Sequence, residues 1–162
     1  MIVIVFGLPG SGKSFFASRL AKMINADYIN SDKIRKEMFA SRTYSEQEKA
    51  AIYNAMLEKT KVLANQKKNL VLDATFHKNE TRYSFQHEME GIDNIYFIEV
   101  WAAEDITRER LKEHRLYSEA DYEVYQSIRQ HWEALKEPHL SLESTNENIA
   151  IMLQKAAAYC TG

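Results

Sequence analysis

The sequence predicts an α/β protein: a three-layer α/β/α sandwich around a five-stranded parallel sheet. Three observations predict it. Short apolar runs alternate with segments of helical periodicity along the whole chain, the pattern that builds a parallel sheet covered on both faces. The first run, residues 2–6, reads Ile-Val-Ile-Val-Phe without a polar interruption, as a strand buried on both faces requires. That run then breaks at Gly7 into a glycine-rich loop that opens directly onto an amphipathic helix.

The elements follow in order. After the strand at 2–6, residues 12–24 form a helix with Phe16, Leu20, Met23 and Ile24 on one side. Residues 28–30 make a short strand, and Ser31 caps a helix running to about residue 39. Ser45 and Glu48 make a capping box that opens a long polar helix to about residue 68. Residues 70–72 are a buried strand stopped by Asp73, residues 79–89 a helix, residues 95–101 a strong strand and residues 104–114 a helix. Tyr122, Tyr125, Ile128, Trp132 and Leu135 stripe a further helix that Pro138 ends; the three aromatic residues are read as core. Residues 139–143 are the last strand. Ser144 and Glu147 form a second capping box before a closing helix striped by Ile149, Leu153 and Ala157. No repeat, linker or low-complexity tract interrupts this order, and 162 residues suit one domain, 1–162.

Charge and cysteine usage narrow the function classes. Lys and Arg number 21 against 23 Asp and Glu, a net charge of −2, without the basic surplus that gripping extended duplex demands. The one cysteine, Cys160, cannot form an internal disulfide, which fits a reducing cytoplasm. The apolar start is too short for a signal peptide, and no stretch reaches the roughly 20 apolar residues of a membrane span. No membrane partner is expected, and the oligomeric state is left open.

Residues 7–14 read Gly-Leu-Pro-Gly-Ser-Gly-Lys-Ser, a full G-x-x-x-x-G-K-[ST] phosphate loop. A triphosphate needs several N–H donors pointing inward, and glycines let the backbone curl closely around it. The helix that follows aims its N-terminal N–H groups and dipole at the same place. The expected nucleotide-binding set is Gly7, Leu8, Pro9, Gly10, Ser11, Gly12, Lys13, Ser14 and Phe15. Lys13 reaches the β- and γ-phosphates of ATP and the Ser14 hydroxyl ligates Mg²⁺. Asp73, ending an apolar strand, has the form of a second Mg²⁺ ligand acting through water; the alternative is a strand-end Asp that starts a turn.

Asp32 follows the second strand, so it too belongs at the carboxyl edge of the sheet, and Arg35 stands one helical turn on. A carboxylate there suits the proton of an attacking hydroxyl, and an arginine suits an anionic group of the acceptor. Spacing alone equally allows Asp32 as a helix-start residue favoured by the dipole and Arg35 as a solvated surface residue. Asn79 and Arg82 either touch substrate or serve the start of their helix. The histidines 77, 87, 114, 131 and 139 have no zinc-site spacing.

This combination resembles the P-loop kinase family that includes the kinase domain of phage polynucleotide kinase and short bacterial predicted kinases. The resemblance runs through Asp32 and Arg35, Asp73-Ala74-Thr75-Phe76, Arg110-Leu111, Ser118-Glu119-Ala120-Asp121 and Glu137-Pro138. It implies the strand order 2-3-1-4-5 and a small Arg-bearing lid at about residues 110–122. It implies Asp32 as general base, Arg35 and Thr75 as acceptor contacts, and Lys13, Arg110 and a second lid arginine as catalytic groups. His114 stands where that second arginine is expected and Arg115 follows it. Arg108 and Arg115 share a helical face while Arg110 points elsewhere; one arginine of this group is expected to act, and the alternative is a solvated charged helix. The implied reaction is transfer of the ATP γ-phosphoryl group to a hydroxyl of a nucleic-acid 5′ end, a nucleoside or another small molecule. The alternative is an ATP-binding or ATP-hydrolysing switch with no phosphoryl acceptor.

Overall fold

A computed structural model describes residues 1–113 and 120–162. A five-stranded parallel sheet has the order β2-β3-β1-β4-β5, as the resemblance implied. The strands are β1 (Ile2–Phe6), β2 (Asp27–Asn30), β3 (Leu70–Asp73), β4 (Ile95–Trp101) and β5 (Leu140–Glu143). The helices are α1 (Lys13–Met23), α2 (Ser31–Met38), α3 (Glu46–Asn65), α4 (Asn79–Met89), α5 (Glu104–Lys112), α6 (Tyr122–Gln130) and α7 (Ile149–Thr161). Among the described residues no helix is long and apolar enough to cross a membrane.

β1 is the middle strand, and none of its five residues has any exposure. Because side chains alternate across a strand, β1 feeds two separate cores. Ile2, Ile4 and Phe6 join Met56, Phe76, Phe85 and Leu135 on one face. Val3 and Val5 join Phe16, Leu20, Leu142 and Met152 on the other, under α1 and α7. Truncating a fully buried phenylalanine such as Phe16 to alanine costs about 3–5 kcal/mol.

Three helix ends differ from expectation. Ser31 is the first residue of α2, and Asn30 is the cap, its Oδ1 accepting from the Lys33 N–H at 3.0 Å. At α3, Ser45 caps by accepting from the Glu48 N–H at 3.1 Å, but Glu48 does not return to Ser45. Its carboxylate accepts from both the N–H and the hydroxyl of Thr43, each at 2.8 Å, and so folds the preceding loop onto the helix. No capping box opens α7. Ser144 lies five positions before the helix begins, and Asn148 ties the intervening turn, donating to the Glu143 carbonyl at 2.8 Å and accepting from the Thr145 N–H at 2.9 Å.

α6 stops at Gln130, well short of Pro138. Trp132 and Leu135 reach the core from a non-helical segment and Tyr125 is buried, but Tyr122 lies outside both cores with its hydroxyl in an exposed network, so the expected stripe is neither one helix nor wholly core. Arg82 of α4 holds that segment. It has no exposure, lies 5.1 Å from the Phe6 ring centroid and 5.8 Å from that of Trp132, and donates to Asn79 and to the Glu133 carbonyl. The Glu133 N–H donates in turn to the His77 carbonyl at 2.9 Å. Both bonds come from one guanidinium nitrogen, Nη2, while Nε and Nη1 are buried with no hydrogen-bond partner, so the group ties the segment down at one point and rests for the remainder on the two aromatic rings.

Candidate active site

The phosphate loop joins β1 to α1. Two glycines in it are sterically required. A Cβ on Gly7 would lie 2.1 Å from the Val100 carbonyl oxygen of the adjoining strand. Gly12 caps α1 at φ 87°, in the left-handed region, and a Cβ there would lie 2.6 Å from the Ser144 hydroxyl. No acidic residue occupies the first turn of α1, so its N–H groups and dipole present positive potential to the loop.

Two cavities meet at this loop. One, of about 800 Å³, is bordered by Gly10, Gly12, Ser14, Phe15, Arg110 and Asn146. The other, of about 240 Å³, is bordered by Pro9, Asp32, Arg35, Asp73 and Thr75. Lys13 lines both. Gly7, Leu8 and Ser11 instead border a small cavity of about 80 Å³ on the β4 side. The loop residues expected to act together therefore divide among three surfaces.

Asp73 is fully buried at the end of β3. Its Oδ2 accepts from the Tyr28 phenol at 2.5 Å and from the Asn30 amide at 2.6 Å. The Ser14 hydroxyl belongs to the same network through Tyr28. Burial, and then the charge of Asp73, push the Tyr28 phenol far above its usual range, so it remains a proton donor. Oδ1 of Asp73 is buried with no hydrogen-bond partner. A buried orphan carboxylate oxygen near a hydroxyl is a hard-oxygen pair that suits Mg²⁺. Among the described residues no three His, Cys, Asp or Glu side chains gather into a metal cage. Mg²⁺ fits such a site because it commonly takes one or two protein oxygens and completes its shell with water and phosphate.

Asp32 and Arg35 both border the smaller cavity, as their spacing suggested. Asp32 is partly exposed and meets Arg42 at 3.4 Å. Arg35 is not the solvated surface residue that spacing allowed: it is 2% exposed, packed between α2 and α3. Thr75 lines the same cavity, and its carbonyl accepts from the Gly7 N–H at 3.4 Å. Asn79 and Arg82 line neither cavity.

Arg110 stands on the larger-cavity side. It donates to the Gly10 carbonyl at 3.4 Å, to the Ser144 hydroxyl at 3.2 Å and to Asn146 at 3.2 Å, tying α5 to the loop after β5. Burial alone lowers its pKa. Arg108 is committed to an exposed network with Glu104 and the Tyr122 hydroxyl. Arg115 and His114 lie outside the described residues, as do the lid positions 116–119.

Sequence reasoning gave no site role to several other cavity residues, among them Arg42, Tyr44, Lys49, Tyr53 and His77, nor to the wall that Val124, Ser127 and Ile128 of α6 supply. Tyr44 adopts φ 56° and Phe76, next to Thr75, φ 46°, both left-handed without glycine's freedom, a conformation that concentrates at functional sites. The Tyr53 hydroxyl accepts from the Phe76 N–H at 2.9 Å and so fixes that turn; burial pushes the phenol up to about 12. Burial, then the fields of Lys49 and Lys78, hold the His77 imidazole below its usual range. The available sequence signal was a basic-aromatic pair, Arg42 and Tyr44, just ahead of a helix cap.

A protein family described as AAA domain matches residues 2–137. Among solved structures, a sugar kinase from Janibacter sp. HTCC2649 superimposes with a TM-score of 0.77 at 15% identity, over 98% of this chain and 93% of that one. Chaetomium thermophilum Kti12 in complex with ADP-AlF3 gives 0.73 at 19% identity, over 100% of both chains. Mycobacterium tuberculosis APS kinase CysC in complex with AMPPNP and APS gives 0.73 at 20% identity, over 99% of this chain and 97% of that one. At these identities the likeness is one of fold. No curated protein matches in sequence.

Proposed function

The chain belongs to this AAA-domain family, and from that premise we propose that it is an ATP-dependent kinase that moves the γ-phosphoryl group of ATP to a hydroxyl of a second substrate. The observation that carries the reading is Lys13, which lines two cavities at once. A kinase must seat two substrates on opposite sides of one phosphoryl group, whereas a switch needs room for the nucleotide alone. The nucleotide takes the larger cavity and the acceptor the smaller. The similar APS kinase, solved with AMPPNP and APS, supports a two-substrate reading.

The loop N–H groups and the Lys13 ammonium hold the phosphates and favour the charge that gathers on the transferring group. Ser14 and Asp73 would hold Mg²⁺, which when bound neutralises phosphate charge. Tyr28 and Asn30 fix the Asp73 carboxylate from behind. Asp32 orients the acceptor hydroxyl and accepts its proton as the new O–P bond forms and the bond to the ADP oxygen breaks. Arg110, held on the nucleotide side, clamps the far end of the nucleotide. A cytoplasmic location is part of the same proposal, resting on the one cysteine, Cys160, which has no second thiol with which to form an internal disulfide.

The test is ATP consumption with and without a panel of hydroxyl compounds, on the wild type and on Asp32→Asn. The expected result is stimulation by an acceptor and a loss of about 10²–10⁴-fold in the variant, with ATP affinity retained. If no hydroxyl compound stimulates turnover and Asp32→Asn behaves as wild type, the protein is a nucleotide switch.

A further inference from the structure

The acceptor cavity is unusually cationic for a pocket meant to hold a neutral alcohol. Lys13, Arg35, Arg42 and Lys49 border it, against the carboxylates of Asp32 and Asp73. In the kinase reading Lys13 and Asp73 serve the nucleotide and metal, and Asp32 serves the reacting hydroxyl. Arg35 is buried at the cavity wall, and its field reaches Glu48 of α3. There burial opposes the charge of Glu48, but the Thr43 hydrogen bonds and the fields of Arg42 and Arg35 hold its carboxyl below the usual range. Arg42, on the loop before α3, and Lys49, on α3, are the cavity's other cations.

Both are only partly satisfied. Arg42 lies with its guanidinium carbon 4.1 Å from the Tyr44 ring centroid and touches Asp32 at 3.4 Å, while its Nε is buried with no hydrogen-bond partner. Lys49 meets Glu46 at 3.2 Å, but Glu46 also takes Lys78 at 3.1 Å, so one carboxylate serves two ammonium groups. His77, beside them, senses the surplus. The cavity continues past Lys49, Tyr53 and His77 into a groove of about 300 Å³ that Glu46, Lys78 and Glu80 also border.

We infer that the acceptor carries a phosphate-like anion in addition to the hydroxyl that is phosphorylated, and that Arg42 and Lys49 receive it. A guanidinium stacked on an aromatic ring presents its donors in a plane matched to phosphate oxygens, and the nearby ammonium adds a point charge. The left-handed turn at Tyr44 keeps the ring under Arg42. Asp32, bonded to Arg42 at 3.4 Å, then adjoins the anion seat, so binding of the anion sets the hydroxyl against the carboxylate. This inference rests on the kinase reading. A sugar phosphate and a 3′-phosphorylated nucleoside share the required chemistry.

Two measurements test it. First, with the phosphate loop filled by Mg²⁺ and a non-hydrolysable ATP analogue, inorganic phosphate is added and the His77 ring protons are followed by NMR against pH. An anion beside Lys49 favours the imidazolium, so the His77 midpoint should rise by about half a unit or more. The rise should vanish in Arg42→Gln and in Lys49→Gln. Second, kcat/KM is compared within matched pairs: glycerol and glycerol 3-phosphate, ribose and ribose 5-phosphate, adenosine and adenosine 3′-phosphate. The ratio within a pair cancels any effect of a substitution on Asp32. The phosphorylated member should win by about tenfold or more, and each variant should erase that advantage. Which pair responds separates the sugar source from the nucleotide source. An unmoved His77 midpoint, or a preference for neutral members, overturns the inference while leaving the kinase reading intact. A shifted midpoint with no transfer to any compound overturns the kinase reading and the acceptor with it, leaving an anion site on a switch. Should Arg42→Gln fail to fold, Lys49→Gln carries both measurements.

Discussion

The Asn30 side chain donates to Oδ2 of Asp73 at 2.6 Å while its own oxygen caps α2 by accepting from the Lys33 N–H. One amide thus joins the buried Asp73 carboxylate to the helix that carries Asp32 and Arg35. Asn30→Ala removes the cap, worth about 1 kcal/mol, and a bond to a buried carboxylate, worth about 1–3 kcal/mol. Urea unfolding should show both losses. Asn30→Ser keeps the cap but is too short for Asp73, so it should recover only the first.

Tyr28 holds the same oxygen from the other side. Tyr28→Phe keeps the ring and removes the donor. The Mg²⁺ concentration needed for tight binding of an ATP analogue should rise about tenfold, the usual scale for groups that orient a ligating carboxylate. Calorimetric titration with and without Mg²⁺ reads this directly, and Asp73→Asn should exceed it. An unchanged Mg²⁺ requirement in both variants would remove Asp73 from the metal site.

Gly12→Ala should fail for two reasons that a second glycine separates. At Gly91, φ is also left-handed, at 76°, but a Cβ meets nothing within 4 Å, so Gly91→Ala should cost only about 1–2 kcal/mol of backbone strain. At Gly12 the same strain combines with a contact 2.6 Å from Ser144 Oγ and 3.0 Å from Arg110 Nη1. Gly12→Ala should therefore cost more in thermal unfolding and should also lose binding of a fluorescent ATP analogue, which Gly91→Ala keeps.

Alkaline stability should depend on Cys160. Burial pushes its thiol up from 9.0 to about 11. Because the folded value lies above the unfolded one, the contribution is complete below pH 9 and is lost as pH rises towards 11, where the unfolded chain has released a proton that the folded chain keeps. The loss is about 2–3 kcal/mol. Across that window Cys160→Ala should lose correspondingly less stability than the wild type in urea titrations.

What could be read from the sequence was whatever a local pattern determines. Uninterrupted apolar runs located β1 and β3, and the phosphate loop announced itself by its glycines. Asp73 was picked out because it ends β3, and Asp32 because it stands two positions beyond β2, at the edge of the sheet where ligands bind. Local patterns failed where side chains serve distant partners. Asn30 was overlooked as a cap because Ser31 stands beside it, and Ser144 seemed a cap although its hydroxyl serves Arg110 from α5. Trp132 and Leu135 kept helical spacing but lie beyond the helix, since the buried Arg82 claims the Glu133 carbonyl. Arg42, Lys49 and His77 lie on three segments that only the fold brings around one cavity, so no spacing rule could unite them.

β2 is an edge strand of four residues, hydrogen-bonded only to β3, with Asn30 in register with Asp73. Edge strands open locally at a smaller free energy than the strand at the centre of a sheet. Each opening of β2 separates Asn30 from Asp73 and uncaps α2 in a single event. A metal–nucleotide complex bound as proposed, against Asp73, would select the closed form and suppress these openings by mass action. Amide protons of β2 would then exchange more slowly with the nucleotide bound, although the ligand touches none of them, and the rim of the sheet would register the occupancy of its centre.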